Sequence, residues 1–221
     1  MIQKIVKTNR IYLDNNATTA LASEVLEATC NALKIFGNPS SIHSFGQDAK
    51  ALLLQARDEC ACFFAVRPHE VLFTSSGTEA LNMLLRGFFG AQCKGHIITS
   101  SSEHSAVYNT VQALQVLGCK ATFLNPGLFG AIQPEQLLEA IQPDTRLITL
   151  MAANSETGVK TDIAKMAKIA KDKGIAFVVD GVGLLGKEQF LIPEGISAMA
   201  FSGHKIHAPK GVGIAIVRKN F

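Results

Sequence analysis

Ile175-Ala176-Phe177-Val178-Val179-Asp180 is a run of five apolar residues that stops on a carboxylate. Lys173-Gly174 precedes it and Gly181 follows. A short run rich in β-branched side chains and bounded by turn residues is the pattern of a strand buried on both faces. Strands covered on both faces occur in parallel sheets, whose crossover connections are helices. The flanking sequence supplies them. Residues 161–173 have helical spacing, and Leu147–Met151 before them is a second buried-type strand. Pro134 opens a helix to about Ile141. Ala121–Leu124 and His96–Thr99 are strands, separated by a helix over 104–117 that Gly118 stops. Glu70–Thr74 is a strand that enters the turn Ser75–Glu79 and a helix through about Phe89. Helical segments over 22–35 and about 46–64 flank a turn-rich loop, 37–44. Downstream, Ser197–Phe201 and Val212–Val217 complete the set. The alternation predicts an α/β protein, a three-layer α/β/α arrangement around a largely parallel, mixed sheet.

Composition narrows the function classes. With 221 residues, 48% hydrophobic and 18% charged, the chain has the length for a sizeable core and is not a disordered one. Twenty-one basic against 18 acidic residues give +3, with no basic stripe, so no nucleic-acid partner is expected. No apolar run reaches membrane-spanning length, and MIQKIVKTNRIYLD lacks a signal-peptide core. No membrane partner and a cytoplasmic location are the expectation. The five cysteines are odd in number, and Cys60 and Cys62 sit too close to staple. Free thiols in a reducing compartment follow. There is no CxxC and no His/Cys cluster with zinc spacing, so no metal site is expected.

In open parallel sheets, ligands sit outside the carboxyl ends of the strands. The residues to inspect are therefore Gly77-Thr78-Glu79, Glu103-His104, Asn154-Ser155-Glu156, Asp180 and Ser202-Gly203-His204-Lys205. Small residues at 74–79 expose backbone N–H groups at a positive helix end, which suits a phosphate, although Ser-Gly-Thr is also an ordinary helix cap. Asp180 ends an apolar strand, where a carboxylate is costly unless paired. A protonated heterocyclic nitrogen would pair with it; a capping Asp before Gly181 is the plainer alternative. Lys205 is placed to form an imine with an aldehyde, if burial and neighbouring Lys210 lower its pKa; a solvated surface lysine is the plainer alternative. Ser202 and His204 are candidate phosphate contacts. A neutral imidazole at His104 suits stacking on a flat ring or proton shuttling.

Gly181-Val182-Gly183-Leu184-Leu185-Gly186 matches the dinucleotide fingerprint G-x-G-x-x-G. Pro193 leaves too few residues for the crossover helix that fingerprint requires, and no acidic residue ends a following strand at the ribose-binding distance.

Taken together, YLDNNATT (12–19), FGNPSSIHSFG (36–46), EVLFTSSGTEALN (70–82), HIITSSSEHSAV (96–107), FVVD (177–180) and SGHKIHAPKGVG (202–213) resemble, in order, the cysteine desulfurases of the class V aminotransferase group. The resemblance implies a pyridoxal-phosphate-transferase large domain over 1–221, with an N-terminal helical segment over about 1–65. It implies pyridoxal 5′-phosphate as cofactor. Lys205 then carries the cofactor, Asp180 partners its ring nitrogen, and His104 stacks on the ring. Gly77, Thr78, Ser202 and His204 contact its phosphate. The implied reaction takes sulfur from L-cysteine, leaving alanine and a persulfide, for iron–sulfur or thio-cofactor assembly. Implied partners are a second copy in a homodimer and a scaffold or sulfur acceptor.

Two positions depart from the family. An asparagine that touches the ring hydroxyl is replaced by Ser155, and a glutamine facing the same hydroxyl is replaced by Gly183. Either the Ser155 hydroxyl reaches, directly or through water, or Asn154 substitutes. A shifted imine pKa and weaker cofactor hold are expected. Family subunits also continue past the position of Phe221, with the nucleophilic cysteine loop, an arginine for the substrate carboxylate and a small C-terminal domain. None of the five cysteines here matches that nucleophile, so the expectation is cofactor-holding without sulfur acceptance. The competing readings are a non-catalytic truncated or decayed paralogue, and another class V enzyme such as an aminotransferase or selenocysteine lyase.

Overall fold

The computed structural model describes residues 10–91, 93–219 and 221. Residues 1–9, part of the expected N-terminal segment, lie outside the described residues. The elements run α1 (Ser23–Ala32), α2 (Ser44–Phe64), β1 (Val71–Thr74), α3 (Gly77–Phe89), β2 (His96–Ser100), α4 (Ser105–Val116), β3 (Lys120–Leu124), α5 (Pro134–Ala140), β4 (Thr145–Met151), α6 (Ile163–Lys173), β5 (Ala176–Asp180), β6 (Ala198–Ser202) and β7 (Gly213–Val217). Every helix and strand expected from periodicity is present, with ends shifted by up to three residues. The shifts have local causes. Asp162 caps α6, its side chain accepting the Lys165 N–H at 3.1 Å, so the helix begins after it. His43 caps α2, which therefore begins before Gly46.

The sheet has seven strands in the order β1-β7-β6-β5-β4-β2-β3. β3, β2, β4, β5 and β6 are mutually parallel, and β7 pairs antiparallel with both β6 and β1. Alternate residues of the central strands enter two separate cores. Ile148, Phe177, Val179 and Phe201 pack with α2, α5 and α6 on one face. Leu147, Val178, Ala198 and Ala200 pack with α3 and α4 on the other. This is the period of two expected of a strand buried on both sides, and it gives the three layers. The Phe201 ring stacks on Phe64 of α2 with centroids 4.7 Å apart.

The cysteine expectation needs correction. Cys30, Cys60 and Cys62 are free thiols, but Cys93 and Cys119 form a disulfide. The cause is topological. His96 and Lys120 are register partners at the starts of β2 and β3, so the residues just before them emerge side by side, with Cα atoms 5.1 Å apart. A separation of 26 residues hides that proximity in the sequence.

The 181–186 stretch is a series of turns with no crossover helix. Its glycines serve close packing instead: a Cβ at Gly181 would lie 2.5 Å from the Phe201 ring, and one at Gly183 would lie 2.5 Å from the Ala153 carbonyl oxygen.

Candidate active site

The carboxyl ends of β2, β4, β5 and β6 open into one cavity of about 590 Å³. The chain reverses its direction of travel across the sheet between β2 and β4, which is where an open α/β sheet forms its binding crevice. All eight residues singled out from the sequence, Gly77, Thr78, His104, Ser155, Asp180, Ser202, His204 and Lys205, line it.

One wall is the start of α3. Ser76 caps this helix through a bond from the Glu79 N–H at 3.0 Å. The N–H groups of Gly77 and Thr78 are in the first turn, so the helix itself offers them no acceptor, and they carry the positive end of its dipole. Gly77 is buried, and a Cβ there would meet Val182 at 2.8 Å and Ser202 at 3.3 Å. Only a glycine lets the helix start approach β6 this closely. The cap reading and the phosphate reading are thus both available: Ser76 caps, and the next two N–H groups stay free.

Asp180 forms the floor. It is 6% exposed, and one carboxylate oxygen accepts the Val182 N–H at 2.9 Å. Burial pushes its pKa up, while that hydrogen bond and the charges of His104 and Lys205 pull it down. A buried acid held this way favours a cationic partner in the cavity.

His104 is the N-cap of α4, and its Nδ1 accepts the Ala106 N–H at 3.1 Å. With Nδ1 acting as acceptor, the proton of a neutral ring sits on Nε2. The bond fixes the ring at the cavity wall.

Ser202 ends β6, and a 3₁₀ turn, Gly203–Lys205, presents Lys205. The turn is braced from outside. The His204 carbonyl accepts the Thr19 N–H at 2.8 Å and the hydroxyls of Thr19 and Thr18 at 2.9 and 3.2 Å. His204 Nδ1 lies 3.1 Å from the Thr18 hydroxyl, and burial, with Lys205 and Lys210 nearby, lowers the pKa of its ring.

Asn154 lines the cavity and also builds its loop. Its oxygen accepts the N–H groups of Glu156 and Thr157, and its amide donates to the Ser102 carbonyl at 3.3 Å. These bonds commit its oxygen to the loop, while the residue still lines the cavity. Ser155 lines the cavity, with its carbonyl bonded to the Asn16 amide at 3.1 Å.

Asp14, Asn16 and Glu103 also line the cavity and had been given no role. Asp14 and Asn16 lie in the YLDNNATT stretch, far from any strand end, so the strand-end rule misses them. Glu103 stood among the inspected residues, but nothing in the sequence said that it is buried.

The donor set fits pyridoxal 5′-phosphate. An amine, a buried acid, an imidazole and a helix start with free N–H groups face one space, and the Gly77 cradle would be filled by any side chain.

Comparison with known proteins agrees. Residues 11–221 match the family model described as "Aminotransferase class-V". The chain is 42% identical to "Cysteine desulfurase 2" of Trichormus variabilis, covering 95% of this chain and 53% of that protein. It is 41% identical to "Cysteine desulfurase IscS" of Dictyoglomus turgidum, again over 95% of this chain and over 54% of the relative. The solved structure "SspA in complex with cysteine" superposes with a TM-score of 0.91 at 34% identity, covering 95% of this chain and 62% of that one. The chain therefore spans about half the length of the curated relatives it matches. Both the sequence match and the shared fold lead to one assignment: the chain belongs to the class V aminotransferase family, whose cysteine desulfurase members are pyridoxal-phosphate enzymes.

Proposed function

We propose that this chain binds pyridoxal 5′-phosphate and serves a cysteine desulfurase activity, the removal of sulfur from L-cysteine to leave alanine and a persulfide. The observation that carries the reading is the convergence of Lys205, Asp180, His104 and the first turn of α3 on one cavity. When bound, the cofactor supplies an aldehyde and an electron-withdrawing ring. Lys205 is the amine that attaches it. Asp180 holds a proton on the ring nitrogen, which keeps the ring electron-poor. His104 covers a ring face and offers an Nε2 proton. The N–H groups of Gly77 and Thr78, with Ser202 and His204, receive the phosphate. The sheet and its helices act as the cofactor-binding domain, and residues before about 65 act as an arm against it. A homodimer, a sulfur acceptor or iron–sulfur scaffold and a cytoplasmic location belong to the same reading. Among the described residues, no helix is long and apolar enough to cross a membrane.

The test is spectroscopic. Adding pyridoxal phosphate to the purified chain is expected to give a lysine-linked absorbance band that borohydride bleaches while fixing the cofactor covalently. Lys205→Ala is expected to abolish it. A chain with no band, or a band indifferent to Lys205→Ala, sinks the proposal.

One observation favours a second reading, a non-catalytic relative. The Ala153 carbonyl stands where a side chain at 183 would begin, so the loop excludes a glutamine there. Sulfide release from cysteine above that of free cofactor would eliminate this reading.

A further inference from the structure

Glu103 is the one buried acid in the cavity wall that the reading above leaves without a role. It follows β2 at the crevice between β2 and β4, and it is 8% exposed. The registered pairing of β2 with β4 stops at Ile98 and Ile148, and beyond it the Glu103 side chain spans from one strand to the other. Its Oε1 accepts the Met151 N–H at 3.0 Å, and Met151 is the register partner of Asp180 on β5. One carboxyl group therefore links the end of β2 to the residue beside Asp180. Its Oε2 is sealed from solvent and has no hydrogen-bond partner among the described residues.

The surroundings argue against a charge. From β5, Asp180 faces Glu103 with the same sign. From the start of α4 comes His104, whose Nδ1 is engaged by the Ala106 N–H. Lys205, from the turn after β6, acts on Asp180. Glu156 and Asp14 add further acids to the cavity lining. The β4 strand contributes an N–H and no cation. An isolated buried carboxylate takes up a proton rather than bear the cost of desolvation, and two neighbouring acids do not both ionise.

We propose that Glu103 is a positioning residue that works as a neutral carboxylic acid, pinning the end of β4 to β2 while leaving Asp180 to carry the negative charge at the cavity floor. The proposal deepens the cofactor reading and rests on it for the role of Asp180. Burial pushes the Glu103 pKa well up, against the pull of the Met151 hydrogen bond and with Asp180 adding to the rise.

The experiment uses the full chain without cofactor first. Infrared spectra at neutral pH are expected to show the carbonyl stretch of a protonated carboxylic acid that Glu103→Gln removes and Asp180→Asn does not. Absence of the band, or its survival in Glu103→Gln, overturns the proposal whether or not the chain binds cofactor. Thermal unfolding gives a second readout. The folded state holds a proton that the unfolded chain gives up at ordinary carboxylate pH, so the Glu103 contribution to stability falls as pH rises above that range, beside the separate contributions of Asp180 and His96. Glu103→Gln removes that contribution if the proposal holds, so its stability–pH profile departs from wild type across this range, and an identical profile contradicts it. Pyridoxal phosphate titration then tests the link to the site. Glu103→Gln, which mimics the neutral acid, is expected to bind within about twofold of wild type, and Glu103→Ala about tenfold more weakly. Equal loss in both variants would mean that a charged Glu103 is needed, and the proposal fails. A chain that shows the infrared band yet never binds cofactor refutes the functional reading and leaves the neutral acid standing.

Discussion

The seven-stranded sheet and the N-terminal arm are built on opposite terms. Each central strand is buried on both faces, and Phe177, Val178 and Val179 are fully enclosed. The arm, residues 10–65, buries almost nothing: α1 has no buried residue, and α2 buries only Gly46, Ala61 and Phe64. Its apolar side chains Leu33, Phe36, Ile42 and Phe63 are 70% exposed or more. Apolar periodicity is present in both regions. The difference teaches that periodicity marks which face wants cover, while only the fold says whether cover is there.

The largest expected effect tests this contrast directly. Phe177→Ala should cost about 3–5 kcal/mol in denaturant unfolding, since it removes a ring from a closed core. Phe36→Ala should stay within about 0.5 kcal/mol. A comparable loss in both would break the contrast. Next in size, reducing Cys93–Cys119 should cost about 3 kcal/mol, because the link closes a loop only in the sheet region. Thiol counting on the unfolded, unreduced chain should then find the remaining thiols, Cys30, Cys60 and Cys62.

A smaller effect is set by pH. His96 is buried at the start of β2, bonded to the hydroxyls of Thr145 and Thr122 at 2.8 Å each. Burial lowers its pKa, with Asp144 opposing that shift and Lys120 adding to it. The unfolded chain then takes up a proton before the folded one does. Stability held above the ordinary histidine pKa must be lost as pH falls below it. Melting curves across that window should show the loss, and His96→Gln should flatten it. The smallest effect is at the surface. Lys168→Ala removes an exposed pair with Asp172 at 2.7 Å and should cost no more than about 0.5 kcal/mol, less in high salt.

Much of the sheet was legible because strand signals are local. The apolar run ending at Asp180, the Gly118 stop and Pro134 at a helix start each act within a few residues. The site was legible through one geometric rule, that ligands gather at strand ends, and through the resemblance. What escaped depends on long-range registry. The pairing of Cys93 with Cys119 follows from where β2 and β3 begin side by side. The commitment of Asn154 follows from a bond to Ser102, across the β2–β4 crevice. Burial of Glu103 follows from the parting of the same strands. Thr18 and Thr19 were quoted for their likeness alone, yet they hold the lysine turn.

That hold is one of the places where the two regions meet, beside the Phe64–Phe201 stack and the Asn16–Ser155 bond. The Thr19 and Ala22 amides hydrogen-bond to the His204 and His207 carbonyls on either side of Lys205. Hydrogen–deuterium exchange at those two amides is thus a gauge of events at the lysine. Anything that settles there should slow their exchange, reporting capture from the arm without a label in the pocket itself.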